Sequence, residues 1–288
     1  MTRPHFSILA GLLCLLPHNA MSHGIAGDRY FPPTVEVDDP FAANEMHAIA
    51  GRRPRSNSVP STRSTTFTIG GGVEPVDGFG ISLDATYLRP NGNISPPRDG
   101  FDNLLLTVKK ELVINATHEY AITAGVVSKL GGTGATGTAD RSSYGLALFY
   151  AKGFGDLHDS LRMLRPLAVT GVIGRETSSD ALRSALLNWS FTIQYSLPYL
   201  QSFVKDFGLR EPFDRLIPIV EFPMRTCLSR ECSGQTTGTE MHLCGADYRA
   251  TRRNPSQTTT PTPASPANSQ PSYLCTFSRT SSIALPNT

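Results

Sequence analysis

Six polar side chains recur at alternate positions within otherwise apolar segments. They are Asp84 in GFGISLDATYL, Lys109 and Glu111 in LLLTVKKELVI, Glu119 and Lys129 in HEYAITAGVVSKL, and Gln194 in NWSFTIQYSL. Two cations, three carboxylates and an amide placed this way suit a polar wall. If they line a lumen, their mixed charge argues against strong anion or cation selectivity, and they equally suit a mutually paired interior that holds no ligand.

Other reactive residues carry less. His118 and Ser128 share one segment but lie far apart along it, and no G-x-S-x-G motif occurs, so an enzyme is not expected. GGTGATG lacks the lysine and following Ser/Thr of a phosphate loop. His23 has no second histidine in a motif with it, and Asp38-Asp39 is an isolated acidic pair, so neither a metal nor a cofactor is expected. Cys227 and Cys232 are close enough in sequence to clip a loop as a disulfide, whereas C-x4-C with a following H-x-C fits no usual zinc site. A net charge of +2, with no basic patch interleaved with aromatics, excludes a nucleic-acid partner.

The elements that must carry the six residues are strands. From Phe101 to Leu130, Leu104, Leu106, Val108, Leu112 and Ile114 alternate, then Tyr120, Ile122, Ala124, Val126 and Leu130. A three-residue turn at Asn115, Ala116 and Thr117 predicts Ile114 opposite His118, with both apolar rows on one face. Further strands are expected at 66–73, 79–88, 143–152, 164–174, 188–197 and 216–222, the last with Pro218 inside it. Leu200, Phe203, Val204 and Phe207 have the spacing of a short amphipathic helix, with Gly208 as its cap.

Such a hairpin fits a sandwich with one wet face or a membrane barrel with a polar lumen. Strands of about ten residues, alternating long and shorter connections, and aromatics near strand ends favour the antiparallel transmembrane β-barrel. Lys110 breaks the apolar face but sits near the turn, where it can snorkel. Residues 1–22 have the layout of a signal peptide: Arg3 and His5, the apolar FSILAGLLCLLP, then Ala20-Met21-Ser22 ahead of the cut. The outer membrane is the expected destination and its lipid the expected partner.

The expected organisation is a signal peptide (1–22), an irregular segment and linker (23–65), a barrel domain (66–240) with a short periplasmic helix, and a disordered tail (241–288) rich in Thr, Pro, Ser and Arg. The abruptness of the last change favours an altered reading frame over a native extension. It also leaves the barrel without an obvious closing strand.

The runs HGIAGDRYFPPT, VDDPFAANE, GFDNLLLTVKKELVINATHEYAITAGV, AKGFGDLHDSL and QYSLPYL resemble a family of secreted proteobacterial proteins regarded as outer-membrane β-barrels. That family is distantly similar to channels associated with aromatic-compound uptake. The resemblance covers about residues 23–240 and implies a barrel with no established substrate. The expected function is a passive channel or uptake pore for a small solute. A structural or interaction barrel, or a secreted β-sandwich, is the alternative.

Overall fold

The computed structural model describes residues 24–32, 34–53, 63–91, 99–135, 141–179, 185–211, 213–228, 238–246 and 273–282. The signal peptide and Cys232 lie outside these, as does the side chain of Cys227, so the disulfide expectation falls outside what is described.

The chain is all-β and antiparallel. A two-residue hairpin, β1 (Ile25–Ala26) and β2 (Arg29–Tyr30), precedes the main sheet. That sheet comprises β3 (Glu45–Arg53), β4 (Arg63–Val76), β5 (Phe79–Asn91), β6 (Gly100–Phe101), β7 (Leu104–Asn115), β8 (Tyr120–Leu130), β9 (Ser143–Gly153), β10 (Leu167–Ser178), β11 (Leu186–Tyr195), β12 (Ile219–Phe222), β13 (Arg225–Cys227), β14 (Gly238–Ala246) and β15 (Tyr273–Ser282). Its order is β15-β14-β12-β11-β10-β9-β8-β7-β5-β4-β3, with β13 beside β11 and β6 beside β5. Neighbours in sequence are neighbours in space, so the sheet is largely a meander. Among the described residues β3 and β15 do not pair, and no closed barrel is found.

The opening hairpin forms with a shifted register. Leu106 faces Ser128, and Ile114 faces Ala121 rather than His118. The turn spans residues 116–119, and a bulge between Glu111 and Val113 absorbs one residue of β7. Before the bulge the slip is two residues, so the predicted faces survive it. Pro218 lies just ahead of β12, where it lends only its carbonyl to the Tyr195 N–H at 3.0 Å. β3 runs through a stretch expected to be irregular, β14 crosses the expected boundary into the tail, and β15 falls within the tail. The helical segment is Leu197–Tyr199 followed by Leu200–Val204, with the Ser196 hydroxyl capping its start. It stops before Gly208, because Lys205 is already extended.

The two faces of the sheet have inverted polarity for a water-soluble protein. Thr107, Lys109, Thr123, Thr170, Thr192, Gln194 and Glu221 are buried on one face. The other exposes Phe67, Ile69, Leu83, Val126, Leu146, Leu148, Ile173 and Ile193, each at least 40% exposed. Cross-strand register joins these into continuous rows. Ile81, Val108, Val126 and Leu146 lie side by side across four strands, and Leu148, Ile173 and Trp189 across three more positions.

What buries the polar face is residues 24–44. Phe31 and Phe41 pack with Ala121, Ala151 and Ala168, and Val37 packs with Phe149 and Val172. Adjacent residues of this segment reach strands far apart in the sheet: Val37 donates to Glu221 of β12 and Asp38 pairs with Lys109 of β7. In a flat sheet β7 and β12 would be separated by roughly 24 Å, so the sheet curls around the segment.

Candidate functional site

The inner face and the segment it encloses meet in two polar clusters. The first lies at the end of the sheet holding the 116–119 turn. Arg29, 1% exposed, donates from Nε to Glu119 at 2.8 Å. Its other nitrogens donate to the carbonyls of Pro166, at 3.0 Å, and Arg165. Glu119 also accepts the Tyr199 hydroxyl at 2.9 Å and the Gly155 N–H at 3.0 Å, and the Arg29 guanidinium sits 4.0 Å from the Tyr199 ring centre. Burial, reinforced by the Glu119 charge, pushes the Tyr199 hydroxyl up to about 12, so it stays a donor.

Sequence explains how three large side chains fit there. Both Gly153 and Gly155 leave room that a side chain would fill. A Cβ on Gly153 would lie 2.3 Å from Glu119 Oε2 and 2.4 Å from Arg29 Nε, and one on Gly155 would lie 2.3 Å from the Tyr199 hydroxyl. The run AKGFGDL therefore supplies a strand end and turn without Cβ atoms where the cluster forms.

The second cluster lies deeper. Glu221, fully buried on β12, accepts three consecutive backbone N–H groups, from Val35 at 2.7 Å, Glu36 at 2.7 Å and Val37 at 3.1 Å. Such a run of amides is a nest for an anion. Lys109 Nζ pairs with Asp38 at 2.5 Å and donates to the Asp39 carbonyl at 2.7 Å. Thr123 donates to the Pro40 carbonyl at 2.5 Å, and Glu111 accepts the Ala42 N–H at 2.8 Å. Asp39 lies in the enclosed segment; burial pushes its carboxyl up to about 6, with the Lys109 charge opposing.

All six polar side chains singled out in the sequence therefore have a defined place. Lys109, Glu111 and Glu119 converge on residues 24–44. Asp84 lies 3.0 Å from His47 Nε2 on β3, across Gly70. Lys129 pairs with Asp102 at 2.6 Å. Gln194 donates to Thr170 at 3.4 Å and Thr192 at 3.3 Å, and those two hydroxyls are 2.6 Å apart. Three of the six thus bind the enclosed segment, and the other three pair within the wall. Lys110, on the opposite face, donates to the Asp77 carbonyl in the neighbouring turn at 3.1 Å.

The residues that sequence reasoning missed are Arg29, Tyr199 and Glu221, while Asp38, weighed there only as half of an isolated acidic pair, binds Lys109. Glu221 left one trace: a lone carboxylate inside the apolar IVEF. Among the described residues, no group of three or more His, Cys, Asp or Glu side chains is placed to hold a metal ion.

No family model, curated protein or solved structure matches the chain. The arrangement is one of ion pairs and hydrogen bonds between the wall and the enclosed segment. What it can do is hold a peptide segment inside a polar-walled, curled sheet.

Proposed function

We propose that this chain is an outer-membrane protein of the β-barrel type, an uptake pore for a small solute, exported by the signal peptide at residues 1–22. The observation that carries the reading is the inverted polarity of the sheet. A sandwich sheet buries its apolar face against a partner layer. Here the apolar rows from Ile81 to Leu146 and from Leu148 to Trp189 are solvent-facing, while Thr123, Thr170, Thr192 and Glu221 are fully buried. Apolar-out and polar-in is the arrangement a bilayer demands of spanning strands.

Two further features support it. Lys110, the cation among the outward apolar side chains of β7, sits beside the 77–78 turn, a position that suits a lysine snorkelling from lipid. The resemblance of residues 23–240 to proteobacterial outer-membrane barrels points the same way, and closure of the sheet between β3 and the C-terminal strands belongs to this proposal.

A second reading, a structural barrel that passes nothing, is favoured by one observation: residues 24–44 fill the curled sheet at one end. Fractionation and liposome swelling separate the possibilities. Recovery with outer-membrane lipid and solute-dependent swelling support the pore. Recovery as a soluble species overturns membrane insertion, and lipid-embedded protein without permeability supports the structural barrel.

A further inference from the structure

We propose that residues 24–44 are a releasable plug, latched at one end by Arg29, Glu119 and Tyr199 and at the other by Glu221 and Lys109; this rests on the pore reading above. The first reason is the kind of bond that holds the segment. It adds no strand to the sheet: apart from the two-residue strands β1 and β2 its described residues are irregular, and beside the apolar contacts of Phe31, Val37 and Phe41 it meets the wall through the wall's polar side chains. Apolar packing alone would serve permanent filling, because buried ion pairs return little net stability for their desolvation. Here five wall groups, Glu111, Glu119, Lys109, Thr123 and Glu221, are spent on binding one segment.

The second reason is how each latch couples to another element. Glu119 holds Arg29 and Tyr199 at once, so the helical segment 197–204 and the plug share one carboxylate. Movement of that segment withdraws the Tyr199 hydroxyl and loosens Arg29 as well. At the other latch, the nest at Val35–Val37 binds the Glu221 carboxylate through backbone alone, so a competing carboxylate-bearing solute would meet the same three donors. The plug continues directly into β3 at Glu45, which tethers it after release.

The test reads plug position and conduction separately, in full-length protein with its native cysteines replaced by serine. Val37→Cys, at a position 1% exposed, reports release through labelling by a membrane-impermeant maleimide. Arg29→Ala and Glu221→Ala should each raise its labelling rate on the order of 100-fold, the scale set by stranding the buried Glu119 charge in the first and the three buried N–H groups of Val35–Val37 in the second, with a matching gain of conductance in planar bilayers. A second pair of cysteines spares the latch residues. A Cβ on Gly80 would lie 3.0 Å from that of Ala42, so Ala42→Cys with Gly80→Cys can tether the plug to β5 on oxidation. In the Glu221→Ala background, without the Val37 probe, oxidation should abolish the added conductance and reduction restore it. Unchanged labelling of Val37→Cys in both latch variants overturns the plug. Increased labelling without conductance leaves the plug releasable and overturns the pore reading instead.

Discussion

Arg29 and Glu119, ninety residues apart in sequence, form an ion pair at 2.8 Å with side chains only 1% and 6% exposed. The pair joins the N-terminal segment to the turn of the hairpin around which the sheet is organised. Removing one partner strands the other charge in a site that water does not reach. Arg29→Ala should therefore cost about 3 kcal/mol of stability, read as a lowered urea midpoint. Tyr199→Phe, which removes only a hydroxyl donor, should cost about 1 kcal/mol. Equal losses in the two variants would show that the ion pair is not the dominant contact.

Glu221→Gln replaces a carboxylate that accepts three amides with a carboxamide that offers one carbonyl oxygen. At least one of the Val35, Glu36 and Val37 N–H groups is left without its partner, at about 1–3 kcal/mol. The amides of these three residues should lose hydrogen-exchange protection by roughly tenfold or more, while those of Thr170 and Thr192 in the adjoining strands should not.

Asp39 makes seating of the segment pH-dependent. Its carboxyl, ordinarily near 3.8, is pushed up to about 6 by burial. The folded state thus binds the proton more tightly than the unfolded one. The associated stability is fully present below about pH 4 and is lost as pH rises to about 6, on the order of 3 kcal/mol. Asp39→Asn should flatten urea midpoints across this window and raise them at pH 7.5. A variant that keeps the wild-type slope between pH 4 and 6 would contradict the assignment.

The outward rows should not tolerate charge. Ile173, 50% exposed between Leu148 and Trp189, is ordinary surface in a soluble sheet, where arginine would cost within about 0.5 kcal/mol. In a lipid-facing row, Ile173→Arg should cost about 2–4 kcal/mol, seen as loss of the folded, heat-modifiable species in lipid. A neutral effect would contradict the outward assignment.

Most of the wall was legible because its period is two. β5 and β7 to β11 lie within a few residues of the expected strands, and Asp84, Lys109, Glu111, Lys129 and Gln194 fall on the predicted face despite the register slip. The slip itself was not legible, since it comes from the bulge near Leu112 and a turn that includes Glu119 at positive φ. β3 hid because Ala48, Ala50 and Gly51 give weak contrast between its faces, and it pairs with the glycines of β4. The plug hid for a different reason. Nothing local marks Val35–Val37 as a nest when its anion, Glu221, lies 186 residues beyond Val35. A segment held by tertiary contacts to a polar wall has neither helical nor strand period, so its irregularity was visible and its destination was not.

Trp189 tests the central claim most directly. It is the single tryptophan of the chain, 38% exposed on the outward face beside Ile173. Its fluorescence in vesicles whose acyl chains carry bromine should be blue-shifted and strongly quenched if the apolar rows face lipid. Red-shifted emission, quenched by aqueous iodide but not by the brominated chains, would place that face in water and contradict the account.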